Sequence, residues 1–115
     1  ERATRAIELT PYDPFLPYFE CVLGLCHLVD ENYRDGAAAT RRALRSSPSF
    51  SAALRVLTIC LALDGQRDAA QAAARRLIAV EPQFSVTNFK RRFPSLYPQM
   101  LEKFGDALGS AGIPP

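Results

Sequence analysis

Two stretches of this chain, VLGLCHLVDENYRDGAAATRRALRSSPSFS at Val22–Ser51 and VLTICLALDGQRDAAQAAARRLIAVEPQFS at Val56–Ser85, are copies of one unit offset by 34 residues. The 11 identical pairs among the 30 aligned positions are Val22/Val56, Leu23/Leu57, Cys26/Cys60, Asp30/Asp64, Ala38/Ala72, Ala39/Ala73, Arg41/Arg75, Arg42/Arg76, Pro48/Pro82, Phe50/Phe84 and Ser51/Ser85. A repeat of this length is typical of a helix–turn–helix unit that stacks into a solenoid. Solenoids of this kind work mainly by presenting a surface to a partner.

Each copy predicts a hairpin of two helices, in which a mostly apolar first helix is joined by a short polar turn to an amphipathic second helix. The predicted helices are, in chain order, Tyr18–Val29, Tyr33–Ser46, Phe50–Leu63 and Arg67–Val80. We therefore expect an all-α fold with repeats over residues 1–84. These comprise a partial repeat at residues 1–11 and repeats at residues 15–48 and 49–82.

The period ends at Ser85, and residues 85–115 are predicted to form a two-helix cap. The first cap helix is expected at Val86–Phe93, because the proline that follows cannot continue a helix. The second is expected at Pro98–Leu108, since proline is tolerated in the first turn. The end face of a solenoid must be covered for solubility, so we expect this segment to cover the last repeat.

Composition limits the classes of partner. The chain has 115 residues, 48% of them hydrophobic and 23% charged, with a net charge of +2. These values are ordinary for a folded domain, and the small net charge does not favour nucleic acid or a membrane surface as the partner. No apolar run approaches the roughly 20 residues that a membrane-spanning helix needs, so no membrane association is predicted.

The cysteine pattern favours free thiols. Cys21 and Cys26 lie five positions apart on one predicted helix, which is too far for a disulfide bond. Buried thiols in a reducing compartment are the interpretation we favour, and they predict a cytoplasmic protein. Three cysteines and one histidine supply too few ligands for a metal site, and no phosphate-binding loop is present. The sequence therefore predicts no cofactor.

The small residues and prolines of the two copies resemble those of the tetratricopeptide repeat. The family's small residue early in the second helix, its small or apolar residue seven positions on, and its closing proline correspond to Gly36/Ala43/Pro48 and Ala70/Leu77/Pro82. The leucine–glycine pair of its first helix corresponds to Leu23-Gly24. This resemblance implies a right-handed α–α superhelix with a concave groove that binds proteins or peptides.

A narrower resemblance concerns the flanking segments. The runs Thr10–Pro14, Phe93-Pro94 and Ala111–Pro114 resemble the C-terminal repeat tail of certain bacterial signalling proteins, in which the tail follows an adenylate/guanylate cyclase domain of class III. This resemblance implies a regulatory tail whose catalytic residues lie elsewhere. Two alternatives stay open: an effector or oligomerisation module of a winged-helix transcriptional regulator, and a free-standing adaptor.

The candidate site is the groove that the first helices of the repeats would line. Its expected lining residues are Tyr18, Cys21, Leu25, Leu28, Val29, Ala52, Arg55, Ile59, Ala62 and Leu63. Of these we expect Tyr18, Cys21, Leu25, Arg55 and Ile59 to contact the partner. Because most of these lining residues are apolar, the groove is predicted to bind an apolar helix. The alternatives are that other repeats or the cap fill it, or that the chain self-associates through its first helix.

The remaining candidate functions are weaker. Lys90, Arg91 and Arg92, flanked by Phe89 and Phe93, form a basic patch of a kind that can bind single-stranded nucleic acid. Three charges on one turn more often form a solvated helix face, so nucleic acid is not favoured as a partner. The single histidine, His27, lies within an apolar helix, where we expect it in the core without the partners a catalytic set needs. The chain is therefore predicted to be non-catalytic.

Overall fold

The computed structural model describes residues 15–93 and 96–115, and every regular element in these residues is a helix. The helices, in chain order, are α1 (Leu16–Val29), α2 (Tyr33–Ser46), α3 (Ser51–Leu63), α4 (Arg67–Val80), α5 (Val86–Arg92) and α6 (Pro98–Ser110). The all-α prediction is thus confirmed for this part of the chain. The partial repeat predicted at residues 1–11 lies outside it. None of the helices described is long and apolar enough to cross a membrane.

The predicted helix bounds agree best with the structure for the amphipathic second helix of each repeat. α2 and α4 begin and end at the predicted residues. α1 begins earlier than predicted, at Leu16, because a proline fits its first turn. α3 begins one residue later, since Phe50 has an extended backbone and precedes the helix. α5 ends at Arg92 rather than at Phe93, and α6 continues to Ser110.

The helices pack as two consecutive hairpins followed by the cap. α1 contacts α2, α3 contacts α4, and α3 also contacts both helices of the first hairpin. In the cap, α5 contacts α6 and α6 contacts α3. The apolar first helices, α1 and α3, therefore lie next to each other, which brings their equivalent positions to one side of the molecule.

Two glycines permit the close approach of α1, α2 and α3. A methyl group built at Gly24 of α1 would lie 2.6 Å from the Cγ2 atom of Thr40 in α2. One built at Gly36 of α2 would lie 2.8 Å from the Sγ atom of Cys60 in α3. Real Cβ atoms do not approach other atoms so closely, so these helices could not pack at this distance with larger residues.

We expect Gly24→Ala to lower the free energy of unfolding by about 1–3 kcal/mol, because overpacking forces the helices apart. The matched control is Gly109→Ala in α6, where the nearest atom to the added methyl is 4.0 Å away. That change should be neutral or stabilising by up to about 1 kcal/mol, as alanine is the better helix former. Urea denaturation followed by circular dichroism measures both, and equal effects would contradict the close approach.

The cap was expected to cover the last repeat; its helix α6 contacts α3 and also reaches the turn between α1 and α2. The C-terminal residues pair with the start of α5, since the Val86 and Thr87 amides donate hydrogen bonds to the carbonyl oxygens of Pro114 and Pro115 over 2.9 and 3.1 Å. The Lys103 Nζ atom of α6 lies 3.1 Å from a carboxylate oxygen of Glu31, in the turn between α1 and α2. The cap therefore spans both hairpins.

Candidate functional site

A groove of about 380 Å³ runs between the first helices of the two hairpins and the cap. It is lined by Tyr18, Cys21, Val22, Leu25, Leu28, Val29, Phe50, Ala52, Arg55, Val56, Ile59, Phe89, Phe93, Leu96 and Phe104. Only Tyr18, Cys21 and Arg55 among these have polar side-chain atoms. A volume of this size is typical of a ligand site, and the apolar lining favours an apolar ligand surface.

The structure brings all five predicted site residues to this groove. They do not contribute equally to its accessible surface. Tyr18 and Leu25 are exposed, whereas Cys21 and Ile59 are buried and form the floor. Arg55 is largely covered. A ligand in the groove would therefore contact mainly the side chains of α1.

Several lining residues were not predicted. The repeat-based prediction missed Val22 and Val56, although both lie one helical turn from predicted site residues, and this spacing could have identified them. It placed Ala62 and Leu63 in the groove, and they lie outside its lining. These two residues come at the end of α3, beyond the part of the helix that faces the groove.

The cap forms the opposite wall of the groove. Phe89 and Phe93 of the first cap segment lie with their ring centroids 5.3 Å apart, and Phe104 of α6 lines the same wall. The cap therefore narrows the groove but leaves the α1 side open. Phe89 is 4% exposed, so it belongs to the core as well as to this wall. The alternative that the cap fills the groove is therefore met in part, since cap residues line one wall.

An ion-pair network holds the cap wall in place. The Arg55 Nη1 atom of α3 donates a hydrogen bond of 3.1 Å to Glu81, and the Arg92 Nη2 atom of α5 donates one of 2.6 Å to the other carboxylate oxygen. The Arg55 guanidinium also lies 5.6 Å from the ring centroid of Phe93, within cation–π range. These contacts join α3, α4 and the cap beside the groove.

The network shifts the ionisation of its members. The pKa of Glu81 lies below its ordinary value of 4.5, chiefly because Arg92 donates a hydrogen bond to its carboxylate. Burial lowers the pKa of Arg55, and the Glu81 charge opposes that effect. Because the single carboxylate of Glu81 pairs with both Arg55 and Arg92, this cluster of three side chains has a net positive charge.

The predicted basic patch has acidic neighbours. The Lys90 Nζ atom lies 2.9 Å from Glu102, and Arg92 pairs with Glu81 as described above. Arg91 is exposed to solvent. Acidic partners reduce the positive charge that two of the three side chains could offer to a phosphate backbone. This arrangement agrees better with a solvated, ion-paired helix face than with a nucleic-acid interface.

The two buried thiols, Cys21 in the groove and Cys60 in the core, are poor nucleophiles. Burial raises the pKa of Cys21 above its ordinary value, and it raises that of Cys60 to about 12. Both thiols are therefore protonated near neutral pH, and a thiolate is the reactive form. Cys26 was predicted to be buried and is exposed instead. The expected core residue His27 is half-buried.

Within residues 15–93 and 96–115, no group of three or more histidine, cysteine or acidic residues is placed to hold a metal ion. Comparison of the chain with models of known protein families, with curated protein sequences and with solved structures gives no match.

Proposed function

We propose that this chain is a non-catalytic protein-interaction module whose groove holds the apolar face of a partner helix. The observation that carries the proposal is the groove itself, with an apolar floor and one open wall that exposes Tyr18, Val22 and Leu25. Contiguous exposed apolar surface of this kind marks a site of association. These exposed side chains are about one helical turn apart, a spacing that matches the apolar face of a helical ligand.

The architecture we propose for the module is a tetratricopeptide-like superhelix. Two features support it: the period of 34 residues, and the order of packing, in which α3 contacts its own partner helix and both helices of the preceding hairpin. Stacking of successive hairpins in this order generates a solenoid with the first helices on its inner side.

We place the module in the cytoplasm, as the C-terminal regulatory tail of a bacterial signalling protein of the adenylate/guanylate cyclase kind. The support is the resemblance of Phe93-Pro94 and Ala111–Pro114 to such tails. All three cysteines are free, as suits a reducing compartment. A partner bound in the groove would change the activity of an attached domain only if its affinity differs between two states of that domain.

Binding can be tested with a displayed library of 14-residue helical peptides, selected against the full chain. We expect Leu25→Glu to weaken the selected peptides at least about tenfold, because it places a charge in the apolar contact. Val80→Glu in α4 is the matched control, since Val80 is 37% exposed and Leu25 44%, and it should leave affinity within about twofold. Failure to select any binder, or equal effects of the two variants, would contradict the proposal.

The regulatory role is tested on the complete gene product. Its rate of cyclic-nucleotide synthesis should change when residues 1–115 are deleted. An unchanged rate would contradict regulation by this module while leaving the binding of helices to be judged by the peptide experiment.

A further inference from the structure

The first helix is apolar around most of its circumference, and Glu20 is its one acidic residue. Its inner face packs against α2 and α3, while Tyr18, Val22, Leu25 and Val29, the α1 stripe, are 58%, 38%, 44% and 43% exposed. A helix that is apolar all round is normally buried all round. The α1 stripe is therefore the surface of the described chain that most needs a covering partner.

One unit later the middle of the same face is buried, and its two ends, Ala52 and Leu63, are half-buried. Val56 and Ile59 of α3 are the equivalents of Val22 and Leu25, and they are 8% and 2% exposed. Among the residues that the structure describes, the helices thus cover on α3 the middle of a face that they leave open on α1. The cap occupies the far end of the stack, since α6 contacts α3. Because the cap occupies this end, another copy of the chain cannot extend the stack of hairpins from it.

The charge pattern of α1 suits an identical partner. The α1 stripe contains no charged residue, and the one acidic residue of the helix, Glu20, is buried with an oxygen 3.4 Å from the Nε atom of Arg42. Two identical stripes would therefore meet without bringing like charges together. The α1 stripe itself offers a charged partner no opposite charge, and Arg55 across the groove is largely covered and paired with Glu81.

The spacing of the α1 stripe points to paired helices. Tyr18, Val22, Leu25 and Val29 follow intervals of four, three and four residues, which assigns the valines to position a of a heptad and Tyr18 and Leu25 to position d. β-Branched residues at a with leucine at d favour two parallel strands. Because α1 is already held by α2 and α3, pairing does not have to fold the helix.

From these observations we infer that the partner helix of the groove is the α1 helix of a second copy of this chain, in a two-fold symmetric dimer. The inference rests on the proposed function, because it names the occupant of the same groove. In a parallel pair each position a faces its own counterpart, so Val22 lies against Val22 of the second copy.

Two variants of the full chain, which place opposite charges at Val22, test this inference. Sedimentation equilibrium should show a concentration-dependent dimer for the native chain. Val22→Glu and Val22→Lys should each weaken it at least about tenfold by setting like charges against each other. An equimolar mixture of the two variants should form a heterodimer, whereas Val80→Glu should dimerise like the native chain. Circular dichroism confirms that each variant is folded.

A native chain that stays monomeric at every concentration overturns the inference, as do two monomeric variants that fail to associate when mixed. The proposed function is judged separately by the peptide library. Selected peptides that bind a strictly monomeric chain would leave the interaction module standing with a different partner helix. A chain that neither dimerises nor binds helices would contradict both proposals.

Discussion

Phe84→Ala should lower the free energy of unfolding by about 3–5 kcal/mol, the range for truncation of a buried phenylalanine. Phe84 follows the proline that ends the second repeat and is 2% exposed within the core. Its ring also lies 5.9 Å from the guanidinium carbon of Arg92, so the change removes a contact between α5 and the repeats. Urea denaturation followed by circular dichroism gives the loss directly.

The repeat supplies the control for this prediction. Phe50 occupies the equivalent position in the first copy, yet it is only half-buried and lines the groove. Identical residues at equivalent positions of the repeat predict equal burial, and for Phe50 the structure differs. We therefore expect Phe50→Ala to cost about 1–2 kcal/mol. Equal losses at the two positions would contradict the difference in burial.

Glu81→Ala should lower the free energy of unfolding by about 2–4 kcal/mol at pH 7. The change removes two charge-assisted hydrogen bonds and leaves Arg55, which is largely buried, without its acidic partner. The control is Glu102→Ala, whose side chain is 67% exposed and pairs with Lys90 at the surface. An exposed pair contributes less than about 1 kcal/mol, so a similar loss for both variants would be inconsistent with the network.

The pH dependence of the Glu81 effect has a definite sign. The pKa of this carboxyl is lower in the folded chain than its ordinary value of 4.5. The stabilisation is therefore fully present above pH 4.5 and is lost as the pH falls through the folded-state value. The difference in stability between the native chain and Glu81→Ala should stay constant from pH 7 to about pH 5 and shrink at more acidic pH. A difference that grows on acidification would contradict this assignment.

Helix positions could be predicted because they depend on local pattern. The apolar periodicity within each copy and the prolines that close each unit located α2 and α4 to the residue. Helix ends that depend on capping geometry rather than on the period were displaced by one or two residues, as at Phe50 before α3.

The groove could be predicted only on the side that the repeats build. Tyr18 and Leu25 follow from their places on the first helix, whereas the wall formed by Phe89 and Phe93 depends on how the cap folds back. The contact between Arg55 and Glu81 joins residues 26 positions apart and has no local signal. Interactions at such separations are fixed by tertiary structure rather than by pattern.

Equivalent positions in a repeat can also have different environments. Cys26 and Cys60 are identical in the two copies, and the repeat alone predicts equal burial. Cys60 lies against Gly36 of α2, whereas Cys26 is exposed, because no helix in the described part of the chain occupies the corresponding place beside α1. The difference follows from position within the stack, which the repeat pattern does not encode.

The most direct test of the groove as the interaction surface is methyl-resolved NMR of the full chain. The methyl signals of Val22, Leu25 and Ile59 report on the groove, and those of Val80 report on α4. We expect the groove signals to shift as the chain is concentrated or as a selected helix is added, while Val80 stays unchanged. Shifts centred on Val80, with the signals of Val22 and Leu25 unmoved, would contradict the assignment of the groove.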